Sequence, residues 1–254
     1  MMKYSWKSKY TVISCILFVV MWECIAVLIN NDIYLPKIEC ILEETISLIN
    51  DKNFYMYVSS SFARTVMSYS CALILSVVLG ILTSVYPFFR YLITPLNSFI
   101  KTIPTLVLVV LALVWFDKDK APFIVGFAII FPILYEGIQN SLCRIDGRIM
   151  EMASIYEVSL IDKFKKIYIP TIKFYIMNIF VSTLSLTFKV VIAGEVHGQP
   201  KFGIGSQIQL EKVNFNITGI FAWILIIMLI SYIFEFINMK LNKMTYRWLD
   251  ENIN

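Results

Sequence analysis

Four ionisable side chains, Glu23, Lys101, Glu136 and Lys189, stand inside stretches that are otherwise apolar. A charge in hydrocarbon is costly to keep and points to recognition of a solute, an ion or another charge. Lys101 and Lys189 suit an anionic solute. The alternatives are snorkelling of the long stems to an interface or pairing with a carboxylate, for which Glu23 and Glu136 are the candidates. Bond-making chemistry finds little support. His197 is the single histidine and has no cysteine nearby, so a metal site is disfavoured. Cys15, Cys24, Cys40, Cys71 and Cys143 form no C-x-x-C pair and read as small hydrophobes rather than a disulfide framework. A membrane enzyme would cluster His, Asp and Glu at one face, and no such cluster is legible, so no catalytic residue is assigned. No Gly-x-x-x-x-Gly-Lys-Ser/Thr occurs, so the chain does not cradle ATP phosphates as a P-loop does. No cofactor is expected.

The elements that hold these charges follow from composition. The chain has 254 residues, 58% hydrophobic and 16% charged, with a mean hydropathy of +0.73. Soluble domains are typically about 45–50% apolar. The excess falls into runs of the length a bilayer needs, roughly 20 residues each. Spans are expected at Tyr10–Ile29, Phe62–Tyr86, Leu92–Phe116, Ala121–Leu142, Phe174–Gly194 and Ile217–Leu241, about six in all. The first run is too long for a signal-peptide core and lacks an A-x-A-like site, so it reads as a retained span. Continuous runs argue for helices and against a barrel. Pro104 and Pro132 fall inside spans and predict kinks. The fold class is therefore all-α and polytopic.

Positive charge sets the orientation. Lys3, Lys7 and Lys9 precede the first span; Arg144, Arg148, Lys163, Lys165, Lys166 and Lys173 lie between the fourth and fifth; Lys240, Lys243 and Arg247 follow the sixth. With an even number of spans these share one side, so both termini are expected to be cytoplasmic in a multi-pass cell-membrane protein. The chain shows no repeat of 20–50 residues and no soluble domain, and reads as one transmembrane unit over 1–254 with its core at about 58–241. Asn30–Ser61 is the longest external segment and carries a short amphipathic helix built on Ile41, Leu42, Ile46, Leu48 and Ile49.

The cytoplasmic segment 145–170 contains "EMASIYEVSLIDKFKKIYIP", Glu151 to Pro170. Read as one helix over Ile149–Ile167, it places Ile149, Met152, Ala153, Tyr156, Leu160, Phe164 and Ile167 on one face. Such a helix either lies in the lipid interface or offers one face to a partner's groove. Glu151, Glu157 and Asp162 are poor choices against an anionic leaflet.

These residues resemble the "EAA" loop of the permease subunits of ABC importers. Glu151-Met152-Ala153 stands at the EAA position, Ser159 and Phe164 match the usual choices further on, Lys165-Lys166 matches the basic pair, and Ile169-Pro170 matches the closing hydrophobic-Pro. Met152 replaces the second-position Ala, and Glu157 stands where Gly is typical. Glycine there permits a positive-φ turn that Glu dislikes, so either the helix continues or the bend moves to Ser159. "SSSFARTVMSYSCALILSVVLG", "PLNSFIKTIPTLVLVVLALVWF" and "FKVVIAGEVHGQPKFGIGSQI" resemble the family's second span, third span, and fifth span with the loop after it. The last piece resembles the branch that serves nitrate, taurine, alkanesulfonates and some vitamin precursors.

The resemblance implies a MetI-like permease fold with a cytoplasmic coupling helix and no enzymatic activity of its own. It implies a path shared by two permease copies, two ATP-binding ABC subunits beneath and an extracytoplasmic solute-binding protein, with ATP bound by the partner. It places the ATPase contact at Glu151, Ala153, Ser154, Glu157 and Ser159. Ala153 is small enough for close approach, and Glu151 is suited to cap a helix start or pair with a partner Arg. Lys101 and Lys189 are the path candidates, and Gly194, Gly198, Gly203 and Gly205 make a compact loop that serves as a gate, meets the binding protein, or is a plain turn. An ion-coupled secondary transporter is the alternative. It calls for inverted repeats and broken midplane helices, and the sequence offers neither signal.

Overall fold

Inside hydrocarbon each backbone polar group must be satisfied within its own segment, and the apolar runs accordingly form helices. The computed structural model describes residues 8–245. Its α-helices are α1 (Ser8–Ile29), α2 (Ile38–Ile49), α3 (Phe54–Val85), α4 (Pro87–Thr102), α5 (Thr105–Trp115), α6 (Ala121–Cys143), α7 (Gly147–Ile155), α8 (Leu160–Lys163), α9 (Ile169–Gly198), α10 (Ile204–Val213) and α11 (Ile217–Thr245), and no strand occurs among the described residues. A π turn, Phe164–Tyr168, joins α8 to α9. Lys3, Lys7 and Arg247, on which part of the orientation argument rests, lie outside the described residues.

Among the described residues five helical segments are long and apolar enough to span a membrane, and α4 with α5 makes a bent pair. Pro104 does more than kink the third run. It has no N–H to donate, and α5 begins directly after it, at 102° to α4. Pro132 has a smaller effect, because α6 stays helical from Ala121 to Cys143.

The chain divides into two compact units, with boundaries at Tyr55/Met56, Ser206/Gln207 and Leu229/Ile230. In the first, Glu23 solves a helix-end problem. Its Oε2 accepts the Ile38 N–H at 3.1 Å, an orphan donor of the first turn of α2 that Lys37 does not cap. Trp22 Nε1 donates to the Pro36 carbonyl, 3.2 Å, and its ring meets Phe221 edge-on at 5.3 Å. The helix α2 is amphipathic as expected. Ile41 and Thr45 are buried, while Leu42, Ile46 and Ile49 are exposed. Asn216 caps α11 by accepting the Gly219 N–H, and its amide donates to Glu211 Oε2 at 2.9 Å.

In the second unit, α3 presents a buried stripe of small residues, Ser61, Thr65, Ser68, Ala72, Ser76, Gly80 and Thr83. Their three- and four-residue steps keep them on one face. Small side chains let helices approach closely in lipid, and hydroxyls bond across the gap. Ser68 Oγ donates to the Phe123 carbonyl at 2.9 Å and Ser76 Oγ to Phe131 at 3.2 Å. A Cβ on Gly80 would stand 2.7 Å from Ile138 Cγ2. All three contacts rise together in number, so α3 and α6 run parallel. The bent α4–α5 pair must therefore carry the chain from the end of α3 back to its beginning. By that path it makes one crossing, which brings the candidate spans among the described residues to six. The helix α9 packs antiparallel on α6, with Gly194 against Pro122, Val191 against Gly126 and the Tyr175 ring over Gly137. The core between them is Tyr69, Ala72, Ile130, Phe131, Leu134, Tyr135 and Leu184.

Candidate functional site

The α6–α9 connection is two short helices with a turn between them, and the single helix expected over Ile149–Ile167 does not form. The first, α7, is capped by Asp146, not by Glu151. Asp146 Oδ1 accepts the Arg148 N–H at 2.9 Å, and its carboxylate pairs with the Arg148 guanidinium at 2.7 Å. The guanidinium first, and the N–H second, hold the Asp146 carboxyl below the usual carboxylate range. The end of α7 is a Schellman motif, in which Val158 N–H reaches the Ala153 carbonyl at 2.9 Å and Glu157 N–H reaches Ser154 at 3.0 Å. The motif puts Glu157 in the left-handed region, φ 47°. So the bend stays at 157, and a glutamate bears the strain a glycine would avoid. Ser159 then caps α8. Its Oγ accepts the Asp162 N–H at 3.1 Å and donates to the Asp162 carboxylate at 2.7 Å.

This geometry sorts the loop's predicted residues. Ala153 is turned inward, 2% exposed. Glu151, Ser154, Glu157 and Ser159 are exposed, and so are the apolar Met152, Ile155, Tyr156, Leu160 and Ile161. The shared apolar face expected from periodicity is broken by the turn, and most of its members face outward.

Of the charges in the spans, Lys101 pairs with Glu136. Lys101 sits one residue before the end of α4, and Glu136 lies on α6 three residues after Ile133. A cavity of about 210 Å³ adjoins Lys101, lined by Ile103, Thr105, Leu108, Ile129 and Pro132 among others. Lys189 is exposed on α9 and makes no ion pair among the described residues. The two lysines are not brought together in one site.

A third cluster was missed by sequence reasoning. Glu195 is fully buried near the end of α9. Arg64 Nη1 donates to its Oε1 at 2.7 Å and to the Phe202 carbonyl at 2.7 Å. Ser61 Oγ and Gly205 N–H donate to Oε2 at 2.7 and 3.0 Å, and Ser61 also accepts the Ile204 N–H at 2.9 Å. Glu195 thus neutralises an arginine and supplies an acceptor at the N-terminus of α10. Asp119 closes the cluster by accepting the Lys201 N–H, 3.0 Å. The loop after the fifth span is therefore pinned to α3. Arg64 and Glu195 stand in apolar runs, as Lys101 and Glu136 do, and the rule that singled out those two applies to them equally.

The loop and this cluster lie at opposite ends of the α3–α6–α9 bundle. That arrangement, six crossings with a helix–turn–helix loop before the fifth, agrees with comparison by sequence. Residues 72–244 match the family described as binding-protein-dependent transport system inner membrane component. The chain belongs to this family. It is an ABC-type permease subunit and a multi-pass membrane protein. An ABC transporter permease protein of Methanocaldococcus jannaschii is 25% identical over 225 residues, 86% of this chain and 84% of that one. Nitrate import permease protein NrtB of Leptolyngbya laminosa is 25% identical over 58% of this chain and 53% of its own. Bicarbonate transport system permease protein CmpB of a Synechocystis strain is 26% identical over 61% of this chain and 56% of its own. The resemblance read from the EAA loop and the flanking spans is thus borne out at the level of the family, and the relatives are transport permeases. A permease of this kind works with ABC-transporter partners.

Proposed function

We propose that this permease forms the import path for a small anionic solute, and that the α7–turn–α8 loop is where an ATPase subunit docks. The loop carries the reading. Its backbone is fixed by two side-chain caps and a Schellman turn, Ala153 seats α7 on its own chain, and Glu151, Ser154, Ile155, Tyr156 and Leu160 are left exposed on one short segment. A docking surface needs apolar anchors within a polar rim, and this loop offers both. The loop faces the cytoplasm together with both termini, in accord with the excess of Lys and Arg on that side. The cluster of Arg64 and Glu195 then faces outward, where a solute-binding protein delivers cargo. A second permease copy completes the path against the exposed α4 and α5, and two ATPase subunits bind ATP. Chains named for nitrate and bicarbonate among the relatives, with Lys101 and Lys189 in the spans, favour an anion of similar size. Sulfonates and taurine share that chemistry.

The test is co-purification and uptake. Glu151→Arg should leave membrane insertion intact while abolishing recovery of the ATPase and uptake together. Ala153→Asp should do the same by unseating α7. Normal uptake in both variants removes the role assigned to the loop.

A further inference from the structure

We propose that Lys101 and Glu136 form an anion-exchange site, in which Glu136 is the resting counter-ion and the transported anion takes its place on Lys101. This rests on the reading of the chain as an anion permease, and it assigns Glu136 a part in transport. Both side chains are 44% exposed from the chain, yet both belong to segments that cross the membrane. A charged pair is not stable facing acyl chains and is found against a water-filled cavity or a protein partner. The pair stands at the break between α4 and α5, beside the cavity of about 210 Å³. That space is large enough for several waters, each taking about 30 Å³, or for one small oxyanion with part of its shell.

The surroundings fit exchange better than a permanent structural pair. The side chains lining the cavity are otherwise almost wholly apolar, so among the described residues Lys101 is the one cation that an entering anion meets there. Asn97, one turn before Lys101 on α4, is buried, and its Oδ1 has no partner among the described residues. Such a buried acceptor, one turn from Lys101 on the same helix, marks this part of α4 as polar and not wholly lipid-facing. Glu136 lies seven residues before the end of α6, about 10 Å along the helix axis, so the site is within the span. Among the described residues the pair has no third charged partner, and a half-exposed ion pair is individually weak and easily opened by a competing anion. With the anion bound, the Glu136 carboxylate repels it electrostatically toward release. Binding that is favourable enough to enter yet weak enough to leave is what conduction requires.

The experiment uses the intact permease–ATPase complex in detergent and reads bromide binding from the broadening of its NMR line, with nitrate as competitor. In the wild type, nitrate should narrow a broadened bromide line. Glu136→Gln, which removes the competing charge, should tighten bromide binding about fivefold. Lys101→Gln should abolish the broadening while the complex stays assembled. Bromide binding unchanged in either variant overturns the proposal. So does loss of assembly in both single variants that is restored in the double variant, since that marks the pair as structural. Uptake in proteoliposomes separates the two readings. Wild-type complex that, supplied with its solute-binding protein, hydrolyses ATP yet imports none of nitrate, bicarbonate or taurine sinks the anion-permease reading, whereas import with unaltered bromide binding in the variants sinks only the exchange site.

Discussion

Arg64 and Glu195, 131 residues apart in sequence, meet at 2.7 Å with the carboxylate wholly buried. The pair joins the second span to the end of the fifth and fixes the start of α10. Removing one member of a buried pair leaves the other charge unpaired, typically at a cost of about 3–5 kcal/mol. Arg64→Ala and Glu195→Gln should therefore each lower the thermal unfolding temperature of the purified permease strongly, and the double variant Arg64→Met with Glu195→Leu should lose less than the two singles summed. Wild-type stability in Arg64→Ala would show that the pair contributes nothing.

Two glycines give that carboxylate its room. A Cβ on Gly203 would stand 2.7 Å from Glu195 Oε2, and on Gly205 it would press on the Ile192 carbonyl and on Glu195 Cβ. A side chain can move more easily than a backbone carbonyl. Gly205→Ala should therefore be the more damaging, with overpacking costs of about 1–3 kcal/mol, and Gly203→Ala the milder. Yield of folded protein by fluorescence-detected size exclusion ranks them; the reverse ranking would contradict this packing.

At the loop end, Glu157 carries a φ of 47°. Glu157→Gly should relieve the left-handed strain and, net of the entropy of glycine, stabilise the turn by about 1 kcal/mol. Glu157→Val should destabilise it by more. Amide exchange at Glu157 and Val158, whose N–H groups close the turn, reads this directly. Faster exchange in the glycine variant would mean that the glutamate side chain, and not the backbone, decides the bend.

Glu211 gives a pH dependence. Burial holds its carboxyl above the ordinary value; the Asn216 amide opposes this, and the nearby Glu44 adds to it. A raised carboxyl pKa contributes stability that is complete below the unfolded-state value and is lost as pH rises through the folded-state value. Mild acid, down to the ordinary carboxylate range, should therefore raise the unfolding temperature, and Glu211→Gln should be more stable than wild type at neutral pH with a flatter profile. The Asn216 hydrogen bond survives in Gln, so a loss of stability at neutral pH in this variant would refute the assignment.

The spans were legible because apolar length is a one-dimensional signal. Their interruptions were less so. Pro104 announces a disturbance, but whether a proline bends a helix or ends it depends on what packs around the break. The loop's landmarks, Glu151 to Pro170, were legible as spacing, yet the fold of that segment was not. Periodicity suggested one helix because Met152, Tyr156 and Leu160 fall at four-residue steps, whereas the backbone reverses at Glu157, the one position where the residue type argued against a turn. Lys101 was visible as a charge, but its partner could not be chosen between Glu23 and Glu136 until α4 and α6 were seen side by side. Glu23 instead serves the free end of α2. The Arg64–Glu195 pair was hidden by separation in sequence, since no local pattern links residues on different helices.

From Leu160 to Gly198 the backbone is helical over 39 residues, about 58 Å at 1.5 Å per residue. The α7–turn–α8 loop sits at one tip of this shaft and the buried Glu195 carboxylate near the other. A tilt of about 5° at one tip swings the far one by about 5 Å, so a push can cross the bilayer with no chain of rearranging side chains to relay it. The π turn at Phe164–Tyr168, wound more loosely than the rest, is the joint where such a shaft would give first.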